Sequence, residues 1–233
     1  MARVRQRLSD TVDTVVGALK WPVAIAALLM LFSCVRTVLL MLATLHKSHN
    51  TLFLEIFGGV IGYVLLWHFF LRRTSISFFS TLEHELTHAI FALATFHPVT
   101  GLYASLRRGG HMQFRGKGNW LITIAPYFFP TATVCLCLIF SFVPSRSARH
   151  AALAFGISLG YHFVSTWNET HAAQSDLRKT GWPFAVLFLP TANGLAIGIC
   201  IAFFFVGVSG VADLIAGIWD HFVQTATSLM GRG

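Results

Sequence analysis

Long apolar runs separated by short polar breaks set the reading of this chain. Span-length apolar segments cover about Trp21–Leu45, Leu52–Leu71, Ser75–Phe96, Asn119–Val143, Ala151–Trp167 and Pro183–Val208. A hydrocarbon layer about 30 Å thick is crossed by about 20 helical residues, so each run predicts a transmembrane helix. Polar breaks fall at His46–Asn50, Arg72-Arg73, Pro144-Ser145-Arg146-Ser147 and 168–182. Arg36 interrupts the first run and is expected to face other helices or to snorkel. Pro126 and Pro130 predict a kink in the fourth span that lines a cavity. Pro190 and Gly194 break the sixth, and Gly156 and Gly160 in the fifth let a neighbouring helix come close.

The pattern changes after the third run. Pro98 stops the helix, Val99–Leu106 reads as a strand, Arg107-Arg108-Gly109-Gly110 as a turn, and His111–Arg115 as the return strand. At the N-terminus Val4, Leu8, Val12, Val15 or Val16, and Leu19 share a stripe beside Arg3, Arg5, Arg7 and Lys20. That stripe predicts an interfacial amphipathic helix, or a charged flank that orients the first span. Val211, Leu214, Ile215, Ile218 and Phe222 predict a second amphipathic helix, on the surface or docked. The expected fold is an all-α polytopic membrane protein with about six transmembrane helices and a short β-hairpin after the third. Its parts are the segment 1–20, two accessory spans in 21–74, a four-span core in 75–208 with the hairpin at 97–118, and the C-terminal helix in 209–233.

Composition supports the membrane. Of 233 residues 55% are hydrophobic and 11% charged, with mean hydropathy +0.67; soluble domains carry about 25% charged residues. The net charge of +8 does not point to nucleic acid, because the basic residues sit in short flanks that match lipid headgroups. Cys34, Cys135, Cys137 and Cys200 all lie in apolar runs without Cys-x-x-Cys spacing, so they read as small buried residues. The first run is too long for the apolar stretch of a signal peptide. Six spans put both termini on one side. Arg3, Arg5, Arg7, Lys20, Arg72, Arg73, Arg146 and Arg149 then make that side cytoplasmic. The hairpin and the 168–182 loop fall on the other side, over one end of the third span; the hairpin's own Arg107, Arg108, Arg115 and Lys117 run against that orientation.

The third run carries the chemistry, in His84-Glu85-Leu86-Thr87-His88. Histidines four apart stand one turn above each other on a helix and grip one divalent ion. The glutamate beside the first lies about 100° round the helix, where it reaches an ion's water without being a ligand. Ser77, Thr81, His84, His88, Ala92 and Thr95 form a small or polar stripe that should face the bundle. The plain alternative is two structural histidines and a buried glutamate, which is costly inside a membrane. A catalytic zinc needs a third protein ligand. Asp176, His171, Glu169 and His162 are the candidates, with Asp176 first because it directly precedes the sixth span on the hairpin's side.

Together these features resemble the site-2 protease family of intramembrane zinc metalloproteases. The shared pattern is His-Glu-x-x-His in a span, a hairpin-like insertion, a proline-containing span, and an Asn-to-Asp segment leading into another span. Asn168 precedes Asp176 by eight residues, and Ala125-Pro126 loosely echoes the family's Gly-Pro-x-x-Asn element. The resemblance implies Zn2+ held by His84, His88 and Asp176, Glu85 as general base, and peptide-bond hydrolysis in or near a substrate's transmembrane segment. Asn168 is then placed to hydrogen-bond the oxyanion, and the edge of Val99–Leu106 to hold an unwound substrate. The expected partners are a membrane protein with a transmembrane helix and the lipid bilayer, with no nucleic acid. The expected location is multi-pass in a bacterial inner membrane, termini cytoplasmic. A membrane di-iron oxygenase is disfavoured, since no His-x-x-His-His box is present. A non-catalytic zinc-dependent scaffold or a transporter-like protein is the alternative, and Glu85 separates it from the protease.

Overall fold

The computed structural model describes residues 2–73, 77–105, 109–142, 148–171 and 173–230. Nine helices and one hairpin account for most of them. The helices are α1 (Ala2–Ser48), α2 (Asn50–Phe69), α3 (Ser77–Ala94), α4 (Trp120–Ile124), α5 (Thr131–Phe140), α6 (Ala148–Glu169), α7 (Ser175–Thr180), α8 (Trp182–Val206) and α9 (Val208–Met230). The strands are β1 (Val99–Ser105) and β2 (Gly109–Phe114). Tight 3-10 turns at Leu71–Arg73 and Ala125–Tyr127 follow α2 and α4. The expected turn at Pro144–Ser147, the Arg107-Arg108 tip and the Ser77 side chain lie outside the described residues.

Among the described residues, three helices are long and apolar enough to cross a membrane, Val4–Ser48, Asn50–Phe69 and Trp182–Val206. A fourth is the pair Trp120–Tyr127 and Thr131–Phe140, bent by 74°. Six were expected. The segments of α3 and α6 fall short because each carries several ionisable groups: Glu83, His84, Glu85 and His88 in one, Arg149, His150, His162 and Glu169 in the other. At the N-terminus no break separates 1–20 from the first span. The 47 residues of α1 form one helix, about 70 Å long at 1.5 Å per residue. That is more than twice the thickness of a hydrocarbon layer, about 30 Å.

Helix directions follow from the contacts. Trp21 meets Phe184, Thr191 donates to the Ala27 carbonyl, and Gly198 faces Val38, so α1 and α8 run parallel. Glu55 pairs with Arg149, and a Cβ on Gly156 would overlap the Ile56 carbonyl, so α2 and α6 also run parallel and almost touch. Strict alternation through six spans would make both pairs antiparallel. The difference lies in α3. It starts beside Glu169, through Ser80, and ends at His97 beside Asp13. Both contacts lie at the end of the bundle where α6 finishes and α8 begins, so α3 lies across that end.

Two segments that parity placed apart, the N-terminal part of α1 and the root of the hairpin, meet in the structure. Asp13 accepts hydrogen bonds from His97 Nε2 (3.1 Å), Gly118 N (3.1 Å) and Asn119 Nδ2 (2.8 Å). Trp120 Nε1 donates to the Val16 carbonyl. The N-terminal third of α1 is therefore tied to the root of the hairpin, at the same end of the molecule. The expectation that hairpin and 168–182 loop share one end does hold.

β1 and β2 pair antiparallel, with Tyr103 opposite His111 and Ala104 opposite Gly110, and an irregularity between Val99 and Gly101. A two-stranded ribbon is marginal alone, and this one rests on α3. At Gly110 a Cβ would stand 2.6 Å from Thr81 Cγ2, 2.7 Å from Glu85 Cγ and 2.9 Å from the Tyr103 carbonyl oxygen. The helix α9 runs antiparallel to α8, with Leu214 and Ile218 buried and His221 Nδ1 2.8 Å from Thr37 Oγ1. Buried Phe155, Leu159, Cys137 and Cys200 form the centre of the bundle. Ile124, Tyr127, Leu177 and Phe184 belong to a second cluster.

Candidate metal centre

Three donors meet on α3 and α7. Ligand atoms of His84, His88 and Asp176 all lie within 4.8 Å of one another. Asp176 Oδ2 stands 3.6 Å from His84 Nε2 and 3.3 Å from His88 Nε2. Bonds of about 2.0–2.1 Å at tetrahedral angles separate ligands by about 3.3–3.4 Å. The spacing thus fits one divalent ion, and a His2Asp set leaves a fourth position open. Two nitrogens and one carboxylate oxygen suit zinc without being specific to it.

Each imidazole is held from behind. His84 Nδ1 donates to Glu169 Oε2 (2.8 Å), and His88 Nδ1 donates to the Ile122 carbonyl (2.7 Å). Such bonds fix the tautomer that leaves Nε2 free for metal. Glu169 is fixed in turn, because Ser80 and Ser165 both donate to its Oε1. The short helix α4 supplies Ile122, and the bend after it places Tyr127 edge-to-face on His84 with ring centroids 5.5 Å apart. Asn193 of α8 donates to the Tyr127 carbonyl (2.9 Å) and holds the bend. Burial alone would raise the pKa of Asp176. The two imidazoles that face it outweigh that and keep its carboxyl well below the usual carboxylate range. Lys179 Nζ lies 3.7 Å from the other oxygen.

Glu85 is half-buried beneath the hairpin, within electrostatic reach of His84, His88 and Asp176. Asn168 is not brought to the site. It is exposed and donates to the Val164 carbonyl of its own helix (2.7 Å). The reason is the helical period: α6 continues through Glu169, so His162, Ser165 and Glu169 share the inward face and Asn168 turns away by about 100°. Of the other ligand candidates, Glu169 stands behind His84 and His171 is exposed. His162 is buried beside a cavity of about 10 Å³ whose walls include Ser80, His84 and Glu169.

Two site residues escaped the sequence. Glu83 Oε1 accepts from the Ala132 N–H (2.8 Å) and so caps α5. Its signal was an acid in an apolar run, one residue before the motif. Tyr127 lies between Pro126 and Pro130, two residues that mark the kink without marking the side chain it carries. Set against family models, curated proteins and solved structures, the chain matches none.

Proposed function

We propose that this chain is an intramembrane zinc metalloprotease that hydrolyses peptide bonds in or near the transmembrane segments of membrane proteins. The observation that carries the reading is the convergence of His84, His88 and Asp176 on one point, with both Nδ1 atoms already bonded. A scatter of structural histidines gives no reason for that double orientation. Zinc bound there polarises a substrate carbonyl and lowers the pKa of its water.

The chain's own residues do the rest. Glu85 accepts the proton of the attacking water and returns it to the leaving amine nitrogen. Glu169 and the Ile122 carbonyl hold the two imidazoles during that exchange. One edge of the hairpin, which lies on α3 over Glu85, takes the substrate as an added strand and keeps it unwound. The resemblance to site-2 proteases points the same way. In the bilayer α1, α2, α8 and the bent α4–α5 pair cross the apolar layer. The motif helix α3 then closes one end of the bundle, near the interface, where water reaches Glu85.

Two variants of the full chain in detergent test this. Glu85→Gln should keep zinc at the wild-type level by elemental analysis and stop cleavage of single-span membrane proteins. Asp176→Ala should lose zinc. Wild-type cleavage by Glu85→Gln would leave a metal-dependent scaffold as the better reading, and full zinc in Asp176→Ala would remove Asp176 from the ligand set.

A further inference from the structure

The phenol of Tyr127 is fully buried, and its oxygen has no hydrogen-bond partner. A buried hydroxyl left unpaired is costly, so a native site that keeps one calls for a use. This one stands at the metal centre. Its ring packs edge-to-face on His84, and it lies within electrostatic reach of Asp176, Glu169 and Glu85. None of those carboxylates bonds to it. Glu169 is taken up by His84, Ser80 and Ser165, and Asp176 faces the two histidines and Lys179. The backbone of Tyr127 is pinned by Asn193, and its turn sits between two prolines, so the ring has a fixed seat.

We infer that the Tyr127 hydroxyl is the donor to the scissile carbonyl oxygen as that oxygen gains charge. The inference rests on the protease reading and fills the role that Asn168 leaves vacant. In the step itself, a bond forms between the water oxygen and the carbonyl carbon, and the C–N bond then breaks. The water's proton travels through Glu85 to the leaving nitrogen, while Tyr127 keeps its own proton throughout. A donor aimed at charge that exists only in the transition state contributes about 10²–10³-fold when it is removed alone.

The test compares Tyr127→Phe with wild type, both zinc-loaded and full-length in detergent. The probes are a blocked Leu–Leu phosphonate, whose tetrahedral oxygens imitate the charged carbonyl, and acetohydroxamate, a planar zinc chelator. Tyr127→Phe should hold as much zinc and bind acetohydroxamate as before, while its phosphonate affinity falls about 10²-fold. Its thermal midpoint should stay or rise, because no bond is lost. Equal phosphonate affinity in the two proteins overturns the inference alone. So does a parallel fall for both probes, or a lower midpoint, which would make Tyr127 structural. Failure of the wild type to take up zinc overturns the inference together with the protease reading.

Discussion

At the scale of single residues, Glu169 makes the clearest prediction. One of its oxygens accepts from His84 Nδ1 and the other from two serine hydroxyls. Glutamine in its place presents an N–H to one of those donors, so either His84 or the serine pair loses its acceptor. Partners of this kind are worth about 10–100-fold in metal affinity. Glu169→Gln should therefore weaken zinc binding by about that factor in competition with a chelator; unchanged affinity would make the bond to His84 incidental. The sequence separates the two layers of this site unevenly. His84, His88 and Glu85 are legible because they share a helical turn and the i, i+4 rule is local. Asp176 is legible only by its place before α8. Glu169 and Asn168 are neighbours in sequence and opposite in space. Only the continuation of α6 to Glu169 decides between them, and a polar cluster at a helix end does not reveal where the helix stops.

Among the elements, the hairpin and the bent span do most to shape the site. The two prolines announced the bend, and the bent span sets the Ile122 carbonyl from α4 and Tyr127 from the turn against the motif histidines. The hairpin was announced by Pro98 and Gly109-Gly110, but its resting place was not. A period-two pattern identifies a strand and says nothing about the helix it lies on. That placement depends on Gly110, whose missing side chain lets β2 lie directly on Thr81 and Glu85. Gly110→Ala puts a methyl group where the Tyr103 backbone and the α3 side chains already stand. The expected cost is about 1–3 kcal/mol, as for overpacked cores, read as a lower thermal midpoint in detergent. Limited proteolysis of the β1–β2 ribbon should quicken at the same time. A variant as stable and as protected as wild type would mean that the hairpin does not press on α3.

For the molecule as a whole, the question is which segments share an end. Apolar runs were counted correctly as runs, yet hydropathy cannot distinguish a helix that crosses the bundle from one that lies across its end. Both need apolar faces, and α3 meets that need with the helices and hairpin around it. Removing α3 from the alternation makes α1 parallel to α8 and brings the N-terminal segment to the hairpin, where Asp13 accepts from His97, Gly118 and Asn119. Labelling sites follow from this arrangement. With Cys34, Cys135, Cys137 and Cys200 replaced by serine, single cysteines are introduced as Arg5→Cys, Lys117→Cys and His49→Cys, all exposed positions. In sealed vesicles a membrane-impermeant maleimide should reach Arg5→Cys and Lys117→Cys from one side, and His49→Cys from the other. Reaction of Arg5→Cys and Lys117→Cys from opposite sides would restore α3 as a separate crossing. The Asp13 bonds would then be impossible in the membrane, because a carboxylate cannot reach across an apolar layer about 30 Å thick.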